Sequence, residues 1–211
     1  MRYLLMSVMI MTACASAEAI VLGQVDDFQD ETAIRWWSGT ASVSKIATGG
    51  PAGLGDQYLQ VSTTAYPEGR QLMVNNRMWG GDYVMAGVHS LEVALLNLNP
   101  FPLEIRILAP SMDYGVYTSS TAFLIPSDGQ WHHTVFSLLE DDMTWVGGSA
   151  GDYSMAMRNI LSLTIRHQPG EPAYNGPAIV ASFGIDNIRA TPEPGTLVLF
   201  PLLFLAVGKK Q

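Results

Sequence analysis

Between Tyr58 and His167 apolar side chains recur at every second position in several short runs. Leu103-Glu104-Ile105-Arg106-Ile107 sets three aliphatic residues on one face and a charged pair on the other, and Leu161-Ser162-Leu163-Thr164-Ile165-Arg166-His167 repeats the pattern. Tyr58-Leu59-Gln60-Val61, Leu91-Glu92-Val93-Ala94-Leu95 and Trp131-His132-His133-Thr134-Val135-Phe136 follow it more loosely. A spacing of two places alternate residues on opposite faces of a strand, whereas helical spacing is scarce here. Gly49-Gly50-Pro51, Asn99-Pro100, Ser127-Asp128-Gly129, Gly147-Gly148 and Gln168-Pro169-Gly170 punctuate the runs. Many short alternating strands broken by such turns predict an all-β fold, an antiparallel two-sheet sandwich. Leu138 to Val146, with Glu140, Asp141 and Asp142, reads as one helical turn or a polar loop. No internal repeat or low-complexity linker interrupts residues 20–190, so one β-sandwich domain is predicted there.

The two ends carry a different chemistry. Met1-Arg2 supplies a positive charge, Tyr3 to Ala13 is apolar, and Ala15-Ser16-Ala17 and Ala17-Glu18-Ala19 offer small residues for cleavage. That order predicts a secretory signal peptide over residues 1–19, its apolar part a short signal helix. The single cysteine, Cys14, lies inside it, so cleavage after Ala17 or Ala19 leaves a chain without disulfides. At the other end Leu197 to Val207 is hydrophobic over eleven residues, with Pro201 inside, and Lys209-Lys210 follow. A spanning helix needs about twenty apolar residues, so this short hydrophobic helix makes a marginal transmembrane segment. The two lysines resist translocation and act as a membrane stop.

With Arg2, Lys209, Lys210, Glu18 and Glu193 set aside as terminal, eight basic and seventeen acidic residues remain, a net charge of about −9. Such a domain repels phosphate backbones and carries no basic stripe, which excludes nucleic acid as a partner. Catalytic signatures are missing: there is no Gly-x-Ser-x-Gly elbow, no His-Glu-x-x-His pair and no Gly-x-x-x-x-Gly-Lys loop. His132 and His133, adjacent on a strand, face opposite sides and do not ligate one metal together. A non-catalytic role is the expectation.

Pro192-Glu193-Pro194, followed by Gly195-Thr196, an apolar stretch and a basic end, resembles the PEP-CTERM sorting signal of Gram-negative envelope proteins. That resemblance covers residues 191–211 and implies an exosortase-type processing enzyme as partner. It also implies export, transient anchoring in the inner membrane, and then a place at the cell surface or in the extracellular matrix. The basic end departs from the usual arginine-rich cluster. Inside the domain, Val25-Asp26-Asp27-Phe28, Trp79-Gly80-Gly81-Asp82-Tyr83, Asp128-Gly129-Gln130-Trp131 and Phe183-Gly184-Ile185-Asp186-Asn187-Ile188 are similar to the jelly-roll domains of many PEP-CTERM proteins, which resemble carbohydrate-binding modules. The resemblance implies a two-sheet jelly-roll sandwich. It also implies a structural calcium ion held near the opening acidic motif, a Gly-rich loop and the closing strand, by Asp26 or Asp27, Asp56 and Asp186.

Glycan contact calls for exposed aromatic rings, because sugar rings present C–H faces that stack on indoles and phenols. Trp36 and Trp37 are neighbours on an expected strand and point to opposite sides, one of them outward. Trp131 opens an alternating strand and reads as core. Trp79 and Trp145 sit beside glycines in expected loops, where binding residues concentrate, and are the expected ligand-binding pair. The favoured reading is an exported surface or matrix protein whose jelly roll contacts extracellular polysaccharide. Its rival is a glycan-active hydrolase or lyase on the same scaffold, and a third reading has an exposed strand edge mediating protein contacts.

Overall fold

The computed structural model describes residues 19–64 and 70–192. The signal helix, Glu193 and Pro194 of the sorting motif, the short hydrophobic helix and Lys209-Lys210 lie outside the described residues. Among those that are described, no helix is long and apolar enough to cross a membrane.

The strands in chain order are β1 (Val25–Asp26), β2 (Ser42–Ile46), β3 (Tyr58–Ser62), β4 (Arg70–Gln71), β5 (Met73–Asn76), β6 (Ser90–Asn97) and β7 (Leu103–Pro110). They continue with β8 (Val116–Ser119), β9 (Phe123–Ile125), β10 (Trp131–Ser137), β11 (Met143–Gly147), β12 (Leu163–His167), β13 (Ala178–Ile179) and β14 (Ser182–Thr191). Two short helices, α1 (Tyr83–Ala86) and α2 (Tyr153–Met157), begin at Asp82 and Asp152, whose carboxylates accept from Met85 N and Met155 N.

One sheet runs β10-β6-β14-β3-β2, with β1 paired to the far half of β14; the other runs β11-β8-β7-β12-β5, with β9 paired to β7. Every pairing within them is antiparallel, so the chain is the two-sheet sandwich its alternation predicts, with the jelly-roll form the resemblance implies. Leu91, Val93 and Leu95 of β6 and Phe183 and Ile185 of β14 meet Ile105 and Ile107 of β7 and Ile165 of β12 in one core. Burying each such side chain stabilises by about 1.5–3 kcal/mol, and in a chain without a described disulfide this burial is the main cohesive force.

Two local readings change. Residues 138–146 form both a 3-10 turn, Glu140–Asp142, and a strand: Met143 is buried in the core, so the polar run ends one residue before β11 starts. Leu161 lies ahead of β12, which starts at Leu163, and is exposed. On β14 the register against β6 slips between Asp186 and Arg189, and Asn187 adopts a left-handed φ of 49°. Asparagine tolerates that conformation, and the bulge lets Ile185 and Ile188 both face the core while Asp186 faces away from it.

Candidate functional site

The first cluster forms where the opening and closing strands meet the loop before β3. In that loop Gly50 N donates to Asp56 O and Gly53 N to Gly50 O, folding the chain tightly enough to turn the Asp56 carboxylate inward. Asp56 Oδ2 accepts from Ala52 N at 2.7 Å, and Oδ1 accepts from Gln29 Nε2 at 2.9 Å. A Cβ added to Gly50 would meet Asp56 Oδ2 at 2.5 Å and Asp186 Oδ2 at 3.1 Å, so the carboxylates of β14 and of the loop converge above this one glycine. Burial, with Asp56 and Asp27 nearby, pushes the Asp186 carboxyl up to about 7, although Asn187 N donates to it at 2.7 Å. Gly50→Ala is expected to lower stability by about 1–3 kcal/mol, read as the urea midpoint, because the added methyl must displace a carboxylate. An unchanged midpoint would show that the two carboxylates do not close over Gly50.

The cluster is made of oxygen acceptors from the opening segment, the loop before β3 and β14. Gln29 Nε2 has two hydrogens but faces three oxygens: Asp27 O at 2.9 Å, Asp56 Oδ1 at 2.9 Å and Gln57 O at 3.2 Å. Gln29 thus gathers backbone and carboxylate oxygens of the opening segment and of the loop before β3 around one amide. Calcium takes six to eight oxygens and accepts carbonyls alongside carboxylates, which suits a site of this make-up. Among the described residues no three His, Cys, Asp or Glu side chains form a metal cluster by themselves, so backbone oxygens would have to complete the set.

Asp26 stands apart from this cluster. It pairs with Ile188, a core residue of β14, and its own side chain therefore points into the sandwich. There Oδ2 accepts from Trp36 Nε1 at 2.6 Å, Trp79 Nε1 at 2.9 Å and Asn76 Nδ2 at 3.3 Å. Of the two alternatives offered by the sequence, Asp27 is the one whose charge acts on Asp186.

The second feature is a groove of about 450 Å³ on the outer face of the other sheet. Its floor is made by residues of β5, β7 and β12 that alternate with core residues: Met73 and Asn75, Leu108, and Thr164, whose hydroxyl donates to Asn75 Oδ1 at 2.6 Å. Trp37 forms one wall, held by a two-way backbone pairing with Asn75, and Leu161 and Ser162 complete the mouth. Tyr174 forms the other wall, carried by residues 168–177, which cross the sheet as a strap. Arg166 fastens that strap by donating to Ala173 O and Tyr174 O, and Arg106 does so by donating to Gln168 O and Gly170 O. Trp37 is 46% exposed and Tyr174 53% exposed, so both rings are open to solvent.

Of the expected binding pair, Trp145 is open to solvent and Trp79 is not. Trp79 is 0% exposed: Asn76 Oδ1 accepts from Met78 N and starts a 3-10 turn that rolls the indole into the core against Trp36. It is closed to any ligand from solvent. Gly80, which looked like a loop marker, lets the chain pass within 2.7 Å of Leu161 O, measured from where a Cβ would sit. Trp145 is exposed but lies on edge strand β11 opposite Tyr117, a core residue, and so belongs to the face away from the groove. Trp36 and Trp37 do diverge as expected, one buried and one open, although they follow a 3-10 turn rather than lie on a regular strand. Trp131 is half-buried on the outer face of the first sheet, edge-on to Tyr58 and against Gly184. Tyr174 escaped sequence reasoning; its setting of Pro172-Ala173-Tyr174-Asn175-Gly176-Pro177, with no strand to bury it, was the available signal.

The chain matches no family model and no curated protein. Solved structures share its fold. An exo-β-agarase aligns at TM-score 0.57 and 15% identity over 80% of this chain, which spans only 24% of that chain. CtCBM11, known from its solution structure, dynamics and binding studies, aligns at TM-score 0.54 and 16% identity, over 85% of this chain and 99% of its own. The family 11 carbohydrate-binding module of the cellulosomal cellulase Lic26A-Cel5E of Clostridium thermocellum aligns at TM-score 0.50 and 15% identity, over 82% and 96%. At such identities the likeness is one of fold.

Proposed function

We propose that the chain is a non-catalytic, exported glycan-binding protein whose ligand lies in the groove between Trp37 and Tyr174. The observation that carries this reading is the pair of exposed rings lining one groove, whose floor sets Met73 and Leu108 beside Asn75 and Thr164, with Ser162 and Arg77 along it. Rings of that kind bury sugar C–H faces, and the polar groups fix orientation, the usual division of labour in a binding cleft. The shared fold of the two modules described above supports the reading, since they are named for carbohydrate binding and cover nearly the whole domain. The hydrolase alternative draws no support from the agarase, of which the aligned part is about a quarter.

Trp37→Ala and Tyr174→Ala are each expected to weaken polysaccharide binding about tenfold, as loss of an aromatic anchor does. Trp145→Ala is expected to leave it within about twofold, because that indole is off the groove. Affinity electrophoresis against a polysaccharide panel reads both, and a reducing-sugar assay runs beside it. Release of product, or binding insensitive to Trp37 and Tyr174, would overturn the assignment.

Two further elements belong to this reading. A structural calcium ion would be held by Asp27, Asp56 and Asp186 with nearby backbone oxygens, tying the first and last strands to the loop before β3. The terminal segments would direct export and sorting by an exosortase-type enzyme, with the polysaccharide met at the cell surface or in the matrix. Mass spectrometry of the mature protein tests the sorting step: ends beyond Ala17 or Ala19 and shortly after Pro194 support it, and intact ends contradict it.

A further inference from the structure

The groove is electrostatically unlike the domain that carries it. Although the domain is acidic, none of the residues lining the groove is Asp or Glu, and its one charged member is Arg77. Arg77 is exposed, lies 5.9 Å from the centre of the Trp37 ring, and makes no ion pair or side-chain hydrogen bond among the described residues. Its guanidinium is thus poised by a stacking contact and free to pair outward.

A second observation points the same way. Arg166 of β12 and Arg106 of β7 are directly opposed in the sheet beneath the strap, both buried. Like charges facing each other across a ladder are unfavourable. Here both guanidiniums bond backbone carbonyls rather than carboxylates, and Arg166 Nε is buried without a partner among the described residues. Burial pulls Arg166 down only to about 10, so it stays charged at neutral pH. Glu104 and Glu171 act on Arg106, whereas no carboxylate acts appreciably on Arg166, the arginine that holds the Tyr174 wall. Arg166, on which no carboxylate among the described residues acts, thus sets a positive charge directly beneath the Tyr174 wall of the groove. The acidic remainder of the surface is screened over about 8 Å at physiological ionic strength.

We propose that the groove selects polysaccharide segments bearing an anionic group, a uronate carboxylate or a sulfate ester, and that Arg77 is the residue that pairs with it while the sugar ring lies against Trp37. This rests on the glycan-binding reading and narrows it to a charged ligand class. A planar guanidinium offers parallel N–H donors to either oxyanion, which a lysine does not.

The test uses the full chain and two matched pairs of probes at physiological salt: polygalacturonate with its carboxyl-reduced form, and a sulfated galactan with its desulfated form. The charged member of at least one pair is expected to bind about three- to tenfold more tightly, the range between an exposed ion pair and a bidentate one. Preference confined to the first pair identifies a carboxylate, and preference confined to the second a sulfate. Arg77→Gln is expected to bring the two members of the preferred pair to equal affinity, and Arg77→Lys to keep part of the difference. Trp37→Ala should weaken both members alike. Equal affinities in the unaltered protein, or a preference that survives Arg77→Gln, would overturn the proposal while leaving neutral glycan binding intact. Failure to bind any of the four probes would overturn the proposal too, and failure on the whole polysaccharide panel would overturn the glycan-binding reading itself.

Discussion

Calcium added to the full chain at pH 7 is expected to raise its melting temperature by about 5–10 °C, and a chelator to reverse the gain. An ion at about 100 times its Kd stabilises the native state by about 2.7 kcal/mol, and a domain of this size moves about 2–4 °C per kcal/mol. The gain should depend on pH through Asp186. Its folded carboxyl is pushed up to about 7 against an ordinary 3.8, first by burial and then by the charges of Asp56 and Asp27. The metal-free fold therefore holds this proton more tightly than the unfolded chain does. Its contribution is fully present below about pH 4 and is lost as pH rises through about 7. Calcium takes the ionised form, so its stabilising increment should be small near pH 4 and grow across that window. Asp186→Asn keeps an oxygen for the Asn187 N–H but removes the charge, and should flatten the pH dependence together with most of the calcium shift. Melting curves at pH 4.5 and 7.5, with calcium and with chelator, decide the matter; superimposable curves at pH 7.5 would exclude the ion.

Period-two alternation was sufficient to read the sandwich because each long strand turns one face to the apolar core, as β7 does with Ile105 and Ile107 inside and Arg106 on the other face, beneath the strap. Short strands were less legible. Nothing in Val25-Asp26-Asp27 says which aspartate faces the core; that is decided by pairing to β14, where Asp26 meets Ile188. The loop before β3 announced Asp56 through its glycines, but the approach of Asp186 depends on a bulge one residue long. Aromatic placement was read least well. A tryptophan beside two glycines looks like a loop residue, yet glycine also permits the closest packing, and Gly80 serves that purpose beside Trp79. The groove itself has no linear signature, since its walls come from residues 37 and 174 and meet only because a strap is fastened by two arginines from different strands.

Asp26→Ala is expected to lower stability by about 3–5 kcal/mol, the range for removing one member of a buried charged network. Burial pushes the Asp26 carboxyl up, and the hydrogen bonds from Trp79 and Trp36 only partly offset it, so the group is held where a charge is costly because the donors need it. Without it two buried indole N–H groups and the Asn76 amide lose their acceptor at once, each unsatisfied group costing about 1–3 kcal/mol. Replacing Trp36 and Trp79 by Phe in the same chain removes the stranded donors, so Asp26→Ala should then cost less; a coupling of at least about 1.5 kcal/mol in that cycle is the expected sign of one network. Strictly additive losses would dissolve it. The consequence reaches the groove, because Asp26 fixes Trp36 and Asn76, whose chain neighbours are Trp37 and, on either side of Asn76, Asn75 and Arg77. Asp26→Ala, assayed cold enough to remain folded, should therefore weaken polysaccharide binding severalfold although the carboxylate touches no ligand. Binding at full strength in that folded variant would mean that the Trp37 wall is positioned by the sheet alone.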